Sequence, residues 1–183
     1  MEPATVVDVK IIAQQIGRRP RGLYGIAVRC PYGYPQVIVV HPIVEGKPFP
    51  TIYWLTCPYL SKGIDRLEAE GLIGKLEEKL RGDDSLRERL AAAHRSYIVE
   101  RDRLLSAVDR RYLEQKGMMK SLSDRGIGGI ADFSRLKCLH LHVAHALVSG
   151  NPIGEIVLDL LERRACPAEN VICSGFESED PPP

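Results

Sequence analysis

The sequence predicts an α+β domain in which a small antiparallel sheet of three strands is flanked by several helices, one of them long and amphipathic. Three observations lead to this prediction. Short β-branched runs separated by proline and glycine turns occupy residues 25–56, as is typical of strands. The connections between them are short, which favours antiparallel pairing. From Cys57 onward, apolar residues recur at helical spacing instead.

The first half of the chain predicts one helix and three strands. Residues 5–16 place Val6, Val9, Ile12 and Ile16 on one helical face, and Gly17 ends the pattern. The strands are expected at residues 25–30, 36–44 and 51–56, with proline- and glycine-containing turns between them.

The second half predicts helices. One begins at Pro58, where the missing N–H is harmless, and a second piece runs to Leu80. Residues 85–115 predict one long amphipathic helix that packs on the sheet or on another helix, with a coiled-coil dimer as the alternative. A glycine-rich, mobile connection at 116–131 leads to a helix that begins near Phe133, and a final amphipathic helix follows Pro152.

Composition and charge exclude several classes of protein. We expect a single domain over residues 1–173 and a disordered acidic, proline-ended tail over 174–183. A net charge of +1 argues against a dedicated nucleic-acid or membrane-surface binder. Apolar runs are too short to span a membrane, and no basic, apolar leader opens the chain, so we expect a cytoplasmic protein.

The five cysteines are the chemically distinctive residues. Cytosolic thiols stay reduced, so each is a buried inert thiol, a metal ligand or a nucleophile. Cys30, Cys57 and Cys166 each precede a proline at the expected end of an element. Alternate strands of a meander run the same way, so Cys30 and Cys57 should share one edge of the sheet, where a covering helix would add Cys138.

The segment from Ser134 to Gly150 carries three of the five histidines. On a helical wheel Cys138, His142 and His145 share one face, whereas His140 points almost the opposite way. That face could bind a metal, pair a nucleophile with its base, or simply pack against the core.

Two cofactors and one anion site follow as hypotheses. Thiolates from separate elements suit either zinc or an iron–sulfur cluster, and the sequence does not decide between them. Arg18 and Arg21, in the turn after the first helix, could bind a phosphate or carboxylate, or could form a solvated charged turn.

Five motifs, GRRPRG, RCPYGYPQV, PFPTIYWLTCP, RLEAEG and KCLHLHVAHAL, resemble those of a bacterial family of unknown function, number five hundred and one in its series. The resemblance runs from about Ile16 to Cys166 and implies that Cys30, Cys57 and Cys138 belong to one site. The matching positions are Arg18, Arg21, Cys30, Pro31, residues 48–51, Cys57, Pro58, Cys138, His140, His145 and Cys166. His142 departs from the family pattern.

We therefore expect a cytosolic protein that binds a metal or an iron–sulfur cluster through Cys30, Cys57 and Cys138, with Cys166 or His145 as the fourth ligand. Such a protein could be an enzyme that binds a small anionic substrate through Arg18 and Arg21. One alternative is an interaction module with a structural zinc, which meets a protein partner through residues 85–115. Another is a metal-free enzyme with a cysteine nucleophile.

Overall fold

A computed structural model describes residues 1–176. The helices are α1 (Val6–Ile16), α2 (Pro58–Ala69), α3 (Leu72–Gly82), α4 (Asp84–Arg103), α5 (Ala107–Gln115), α6 (Lys120–Ser123), α7 (Leu139–Val148) and α8 (Pro152–Leu160). The strands are β1 (Leu23–Arg29), β2 (Pro35–Val40), β3 (Ile43–Val44), β4 (Lys47–Pro48) and β5 (Tyr53–Leu55), and 3₁₀ turns lie at Ile127–Gly129 and Ile172–Gly175. Of the tail expected to be disordered, Ser174 and Gly175 belong to the second of these turns, and residues 177–183 lie outside the described part. No helix within residues 1–176 has the length and apolar character needed to cross a membrane.

The sheet confirms the predicted antiparallel meander. Its order is β1–β2–β5, and both neighbours run antiparallel to β2. Ile38 at the centre lies opposite Ile26 of β1 and Trp54 of β5. A separate two-stranded hairpin, β3–β4, fills the connection between β2 and β5. Because β1 and β5 both pair with β2, they run in the same direction and end at the same edge.

Helices cover both faces of the sheet. Every residue of β2 is buried, as expected of a strand without a solvent face. Ile38 and Val40 pack with Ile12 of α1 on one face. Strand alternation turns Val37 and Val39 to the other face, where α7 contacts all three strands. Helix α8 packs on α7, and the largest apolar cluster fills the space among α2, α3, α4, α7 and α8.

The long helix predicted over 85–115 is in fact two helices. The chain breaks at Leu104–Ser106, and Ser106 starts α5 with a capping box in which its side chain accepts from Asp109 N–H. The apolar stripe of α4 packs inside the protein, with Leu90 and Tyr97 fully buried. A protein partner at this segment would therefore meet its outer face, and that partner stays a prediction.

The helix expected near Phe133 begins at Leu139. Residues 133–138 are irregular, and Cys138 is the extended residue before the first turn, with φ −159° and ψ 129°. Two carboxylates fix the segment that leads into α7. Leu136 N–H donates to Glu77 Oε1 at 3.0 Å, and Leu139 N–H donates to Glu68 Oε1 at 2.6 Å. The wheel that grouped Cys138 with the histidines therefore does not apply to it.

The glycine-rich connection at 116–131 is packed rather than a free linker. Ile127 is buried in a cluster with Tyr97 of α4. The Arg101 guanidinium, itself buried, donates to the carbonyl of Pro50 at 2.8 Å and to those of Leu122 and Arg125. One arginine thus satisfies three carbonyl groups and ties the connection to α4.

The close contact between α7 and α8 requires glycine at position 154. A Cβ at Gly154 would lie 2.2 Å from the His142 carbonyl oxygen, and backbone cannot move aside as a side chain can. We expect Gly154→Ala to lower the free energy of unfolding by at least about 2 kcal/mol in urea denaturation. The matched control is Gly74→Ala in α3, where the added methyl meets nothing within 4 Å. That change should stabilise by about 0.5–1 kcal/mol. Equal effects would contradict the close helix crossing.

Candidate metal centre at the edge of the sheet

Two cysteines follow the two outer strands at one edge of the sheet. Cys30 follows β1, and its N–H donates to the Tyr34 carbonyl at 2.9 Å across the turn into β2. Cys57 follows β5, and the preceding Thr56 N–H donates to the Gln36 carbonyl at 3.0 Å. The two thiol-bearing residues therefore flank the start of β2 from either side, as the meander predicts.

The C-terminal segment brings two further cysteines to this edge. The Tyr32 hydroxyl, in the turn after Cys30, donates to the Cys166 carbonyl at 2.8 Å. From α1, the Gln15 amide donates to the Pro35 carbonyl at 2.8 Å and to the Cys173 sulfur at 3.3 Å. Cys166 and Cys173 thus lie against the strand ends that carry Cys30 and Cys57. We call these four residues the thiol cluster.

The electrostatics of Cys57 reflect its neighbours. Burial raises the pKa of its thiol, and the nearby Cys166 and Cys30 raise it further, whereas hydrogen bonds from the Leu60 and Tyr59 N–H groups lower it. These N–H groups belong to the first turn of α2, which Cys57 precedes. The N–H groups at the start of α2 thus favour a thiolate at Cys57, whereas burial disfavours a thiolate that has no cation beside it.

The pKa of the Cys173 thiol depends on the other three members of the thiol cluster. Burial raises the pKa of its thiol to about 11, the hydrogen bond from Gln15 opposes this, and the charges of Cys57, Cys30 and Cys166 add to the rise. Each of the other three sulfurs is therefore within electrostatic reach of Cys173. Thiols whose pKa is raised in this way, Cys57 and Cys173, become thiolates when a metal cation binds beside them.

Cys138 lies elsewhere, beside Glu68 and His140. One ligand atom from each of these three residues lies within 4.8 Å of the others. Glu68 is in the last turn of α2, whereas Cys57 precedes its first turn, about 16 Å away at the helical rise of 1.5 Å per residue. The structure therefore groups Cys138 with Glu68 and His140 and does not bring it to Cys30 and Cys57, because Cys138 precedes α7 and lies against the far end of α2.

The His140 side chain points toward α2 and contacts Cys138, whereas the helical wheel predicted that the two residues face opposite ways. Its Nδ1 is 3.4 Å from Cys138 Sγ and 3.5 Å from Glu68 Oε1, and its Nε2 is 3.3 Å from Asp65 Oδ1. Burial lowers the pKa of His140, but the hydrogen bond with Cys138 and the charges of Cys138, Glu68 and Asp65 outweigh it and raise the pKa to about 9.

His145, predicted as a candidate fourth ligand, is enclosed in the core. Its ring stacks on Tyr53 with centroids 6.1 Å apart, meets Tyr97 edge-on at 5.1 Å, and places Nε2 3.5 Å from Glu100 Oε1. The structure therefore pairs His145 with these aromatic and acidic groups and not with the thiol cluster.

His142 is buried beside it. Its Nδ1 is 3.3 Å from the Asn151 side-chain oxygen, and its ring meets that of His94 with centroids 6.0 Å apart. Burial, together with the charges of His94 and His145, lowers the pKa of His142 to about 3, and burial lowers that of His94 to about 4. These two imidazoles are neutral core residues at pH 7.

The two arginines predicted to bind an anion have different surroundings. The Arg18 guanidinium lies 5.1 Å from the centre of the Trp54 ring, a cation–π contact that leaves its N–H groups free to bind other groups. Arg21 pairs with Glu45 at 3.5 Å, and both side chains are about two-thirds exposed. Arg18 therefore remains the better candidate for an anion.

Sequence reasoning missed Cys173, Glu68 and Asp65. Cys173, like Cys138, lacks the following proline that marks the other three cysteines. Asp65 and Glu68 are three apart on one helix and so share a face. Nothing in the sequence links that face to Cys138, because the contact depends on where α7 packs.

This fold defines the protein as an α+β domain with a helix-covered three-stranded sheet. A model of the family described as "Protein of unknown function (DUF501)" matches residues 26–159, and the chain belongs to that family. The match includes Cys30, Cys57 and Cys138 and ends before Cys166 and Cys173. Comparison with curated proteins and with solved structures finds no match.

The buried histidines predict a destabilisation by acid. Because the pKa values of His94 and His142 are lower in the folded state than the ordinary 6.5, the unfolded chain binds more protons below pH 6.5. The contribution of these two histidines to stability should therefore be complete above pH 6.5 and fall by about 1 kcal/mol per pH unit for each histidine as the pH drops toward 4. Urea denaturation across this range measures the slope. His142→Gln, which keeps a hydrogen-bond donor, should reduce it, and an unchanged slope would argue against a neutral, buried His142.

Proposed function

We propose that the protein binds an iron–sulfur cluster through Cys30, Cys57, Cys166 and Cys173. The observation that carries this proposal is the arrival of four thiols at one sheet edge from four separate stretches of chain. Independent burial of small hydrophobic residues gives no reason for such convergence. A shared cation does, because it stabilises all four thiolates at once.

The spacing of the sulfurs favours a cluster over a single zinc ion. Around one tetrahedral zinc, thiolate sulfurs lie about 3.8 Å apart, as follows from a Zn–S bond of about 2.3 Å. Within residues 1–176, only Glu68, Cys138 and His140 bring three such ligand atoms within 4.8 Å of one another. The thiol cluster is therefore wider than a zinc site. A [4Fe–4S] cluster binds each of its four thiolates through a different iron, and the wider arrangement suits it.

Hydrogen bonds to sulfur fit the same assignment. The Cys173 sulfur accepts from the Gln15 amide, and the Leu60 and Tyr59 N–H groups at the start of α2 act to lower the pKa of the Cys57 thiol. Donors to ligand sulfurs stabilise the added electron and set the reduction potential of iron–sulfur clusters. With four protein ligands the cluster has no open iron, so we assign it a structural or electron-transfer role and not substrate binding.

A small anionic substrate stays part of the proposal through Arg18. Its guanidinium is presented on the exposed side of the Trp54 ring, where it can pair with a phosphate or carboxylate. We expect Arg18 to act with the groove beside Trp54 and not with the cluster.

Anaerobic purification followed by iron, sulfide and zinc analysis tests the proposal. The wild-type chain should carry iron and acid-labile sulfide and absorb visible light. Cys173→Ser should lose most of the iron and sulfide. The matched control is Cys138→Ser, which should keep both because Cys138 lies outside the thiol cluster.

Three results would contradict the cluster. Zinc without sulfide that is lost in Cys173→Ser and kept in Cys138→Ser would identify a structural zinc at the thiol cluster. Retention of iron by Cys173→Ser would remove that residue from the ligand set. Absence of both metals after anaerobic purification and cluster reconstitution would leave four metal-free thiols.

A further inference from the structure

We propose that Glu68, Cys138 and His140 form a second, independent metal site that binds a single divalent transition-metal ion, for which zinc is the best match. The site does not depend on the thiol cluster. The two share only α2, which carries Cys57 before its first turn and Glu68 in its last.

The distances among the three donor atoms match one metal ion. Cys138 Sγ and His140 Nδ1 are 3.4 Å apart, His140 Nδ1 and Glu68 Oε1 are 3.5 Å apart, and one ligand atom from each residue lies within 4.8 Å of the others. Donors bound to one tetrahedral zinc lie about 3.3–3.8 Å apart, given bond lengths of about 2.0–2.3 Å. Thiolate, imidazole and carboxylate are also the three ligand types that zinc takes in proteins.

The surrounding hydrogen bonds hold the donors in place. The far nitrogen of His140, Nε2, is 3.3 Å from Asp65 Oδ1 and 3.4 Å from the Ser61 carbonyl oxygen. Metal-binding imidazoles usually donate their other N–H to a carboxylate or carbonyl in this manner, which fixes Nδ1 toward the metal. Glu68 is oriented by the Leu139 N–H, which donates to its Oε1 at 2.6 Å.

Cys138 has no structural role that would account for its position. It stands at the residue before α7, yet its side chain makes no capping hydrogen bond. It is half-buried and extended, so its sulfur is directed to the carboxylate and imidazole.

The same atoms favour a metal over a free nucleophile. A thiolate–imidazolium pair alone needs surroundings that favour the thiolate. The Glu68 carboxylate beside it opposes a second negative charge. A divalent cation bound between Cys138 and Glu68 removes this repulsion, because its two positive charges neutralise the thiolate and the carboxylate together.

Three protein ligands leave a coordination position for a substrate or water, as in catalytic zinc sites. His140 also lines an open groove of about 330 Å³ with Thr51, Trp54, Leu55 and Leu141. The open position and the apolar walls of this groove together suit a small ligand that has a metal-binding group and an apolar portion.

Zinc titration of the full-length chain by calorimetry, after removal of metal by a chelator, tests the site. We expect one binding event that Cys138→Ser and His140→Gln abolish or weaken by at least 100-fold, and that Glu68→Gln weakens by at least 10-fold. Asp65→Asn, which removes only the partner of Nε2, should weaken binding about 10-fold. The matched control is Glu70→Gln, at the end of the same helix, which should bind zinc as the wild type does.

A second readout covers the case in which a variant fails to fold. In the wild-type chain, zinc should protect Cys138 from iodoacetamide, and mass spectrometry of the labelled peptide should show at least a tenfold slower reaction. Unaltered labelling of Cys138 in the presence of zinc would overturn the proposal and identify a free thiol. Wild-type affinity in both Cys138→Ser and His140→Gln would also overturn it.

The two proposals fail separately. Loss of zinc binding in Cys138→Ser with iron and sulfide retained supports the second site whatever the thiol cluster holds. A chain without iron that still binds zinc at Cys138 and His140 contradicts only the proposed cluster.

Discussion

The pairing of β1 and β5 with the two sides of β2 is the constraint on which the rest depends. It makes the two outer strands parallel to each other, so Cys30 and Cys57 leave the sheet at one edge. Cys57 is also the residue before α2, and the direction in which α2 leaves the sheet decides where Glu68 meets Cys138 and His140. One sheet register thus places both candidate sites, one at each end of the same helix.

Much of the fold could be predicted because its signals are local. Gly17 ends α1 in the left-handed conformation at φ 69°, as its position after an apolar helical stripe predicts. Pro58 starts α2. The break before α5 was also readable, because Ser106 and Asp109 form a capping box, but the apolar spacing across residues 85–115 masked it. Periodicity reports which face is buried, and it continues across a break when both helices pack on the same core.

The candidate sites could be predicted only in part, because tertiary contacts decide them. The edge shared by Cys30 and Cys57 follows from strand direction alone. The helical wheel placed Cys138 on α7, whereas α7 begins at Leu139 and two carboxylates from α2 and α3 hold the segment that leads into it. His145 has the apolar neighbours of a core residue and was not distinguishable from a ligand by spacing. Cys173 could not be predicted as a ligand, because it reaches the sheet edge only when the C-terminal segment folds back, and no local sequence pattern indicates that path.

The most direct test of two separate metal centres is an anomalous-diffraction experiment on anaerobically grown crystals of the zinc-loaded chain. Maps collected above the iron absorption edge should place density among Cys30, Cys57, Cys166 and Cys173. The additional signal above the zinc edge should lie between Glu68, Cys138 and His140. Maps without a peak at either position would contradict the account, as would a single metal that Cys138 shares with Cys30 and Cys57.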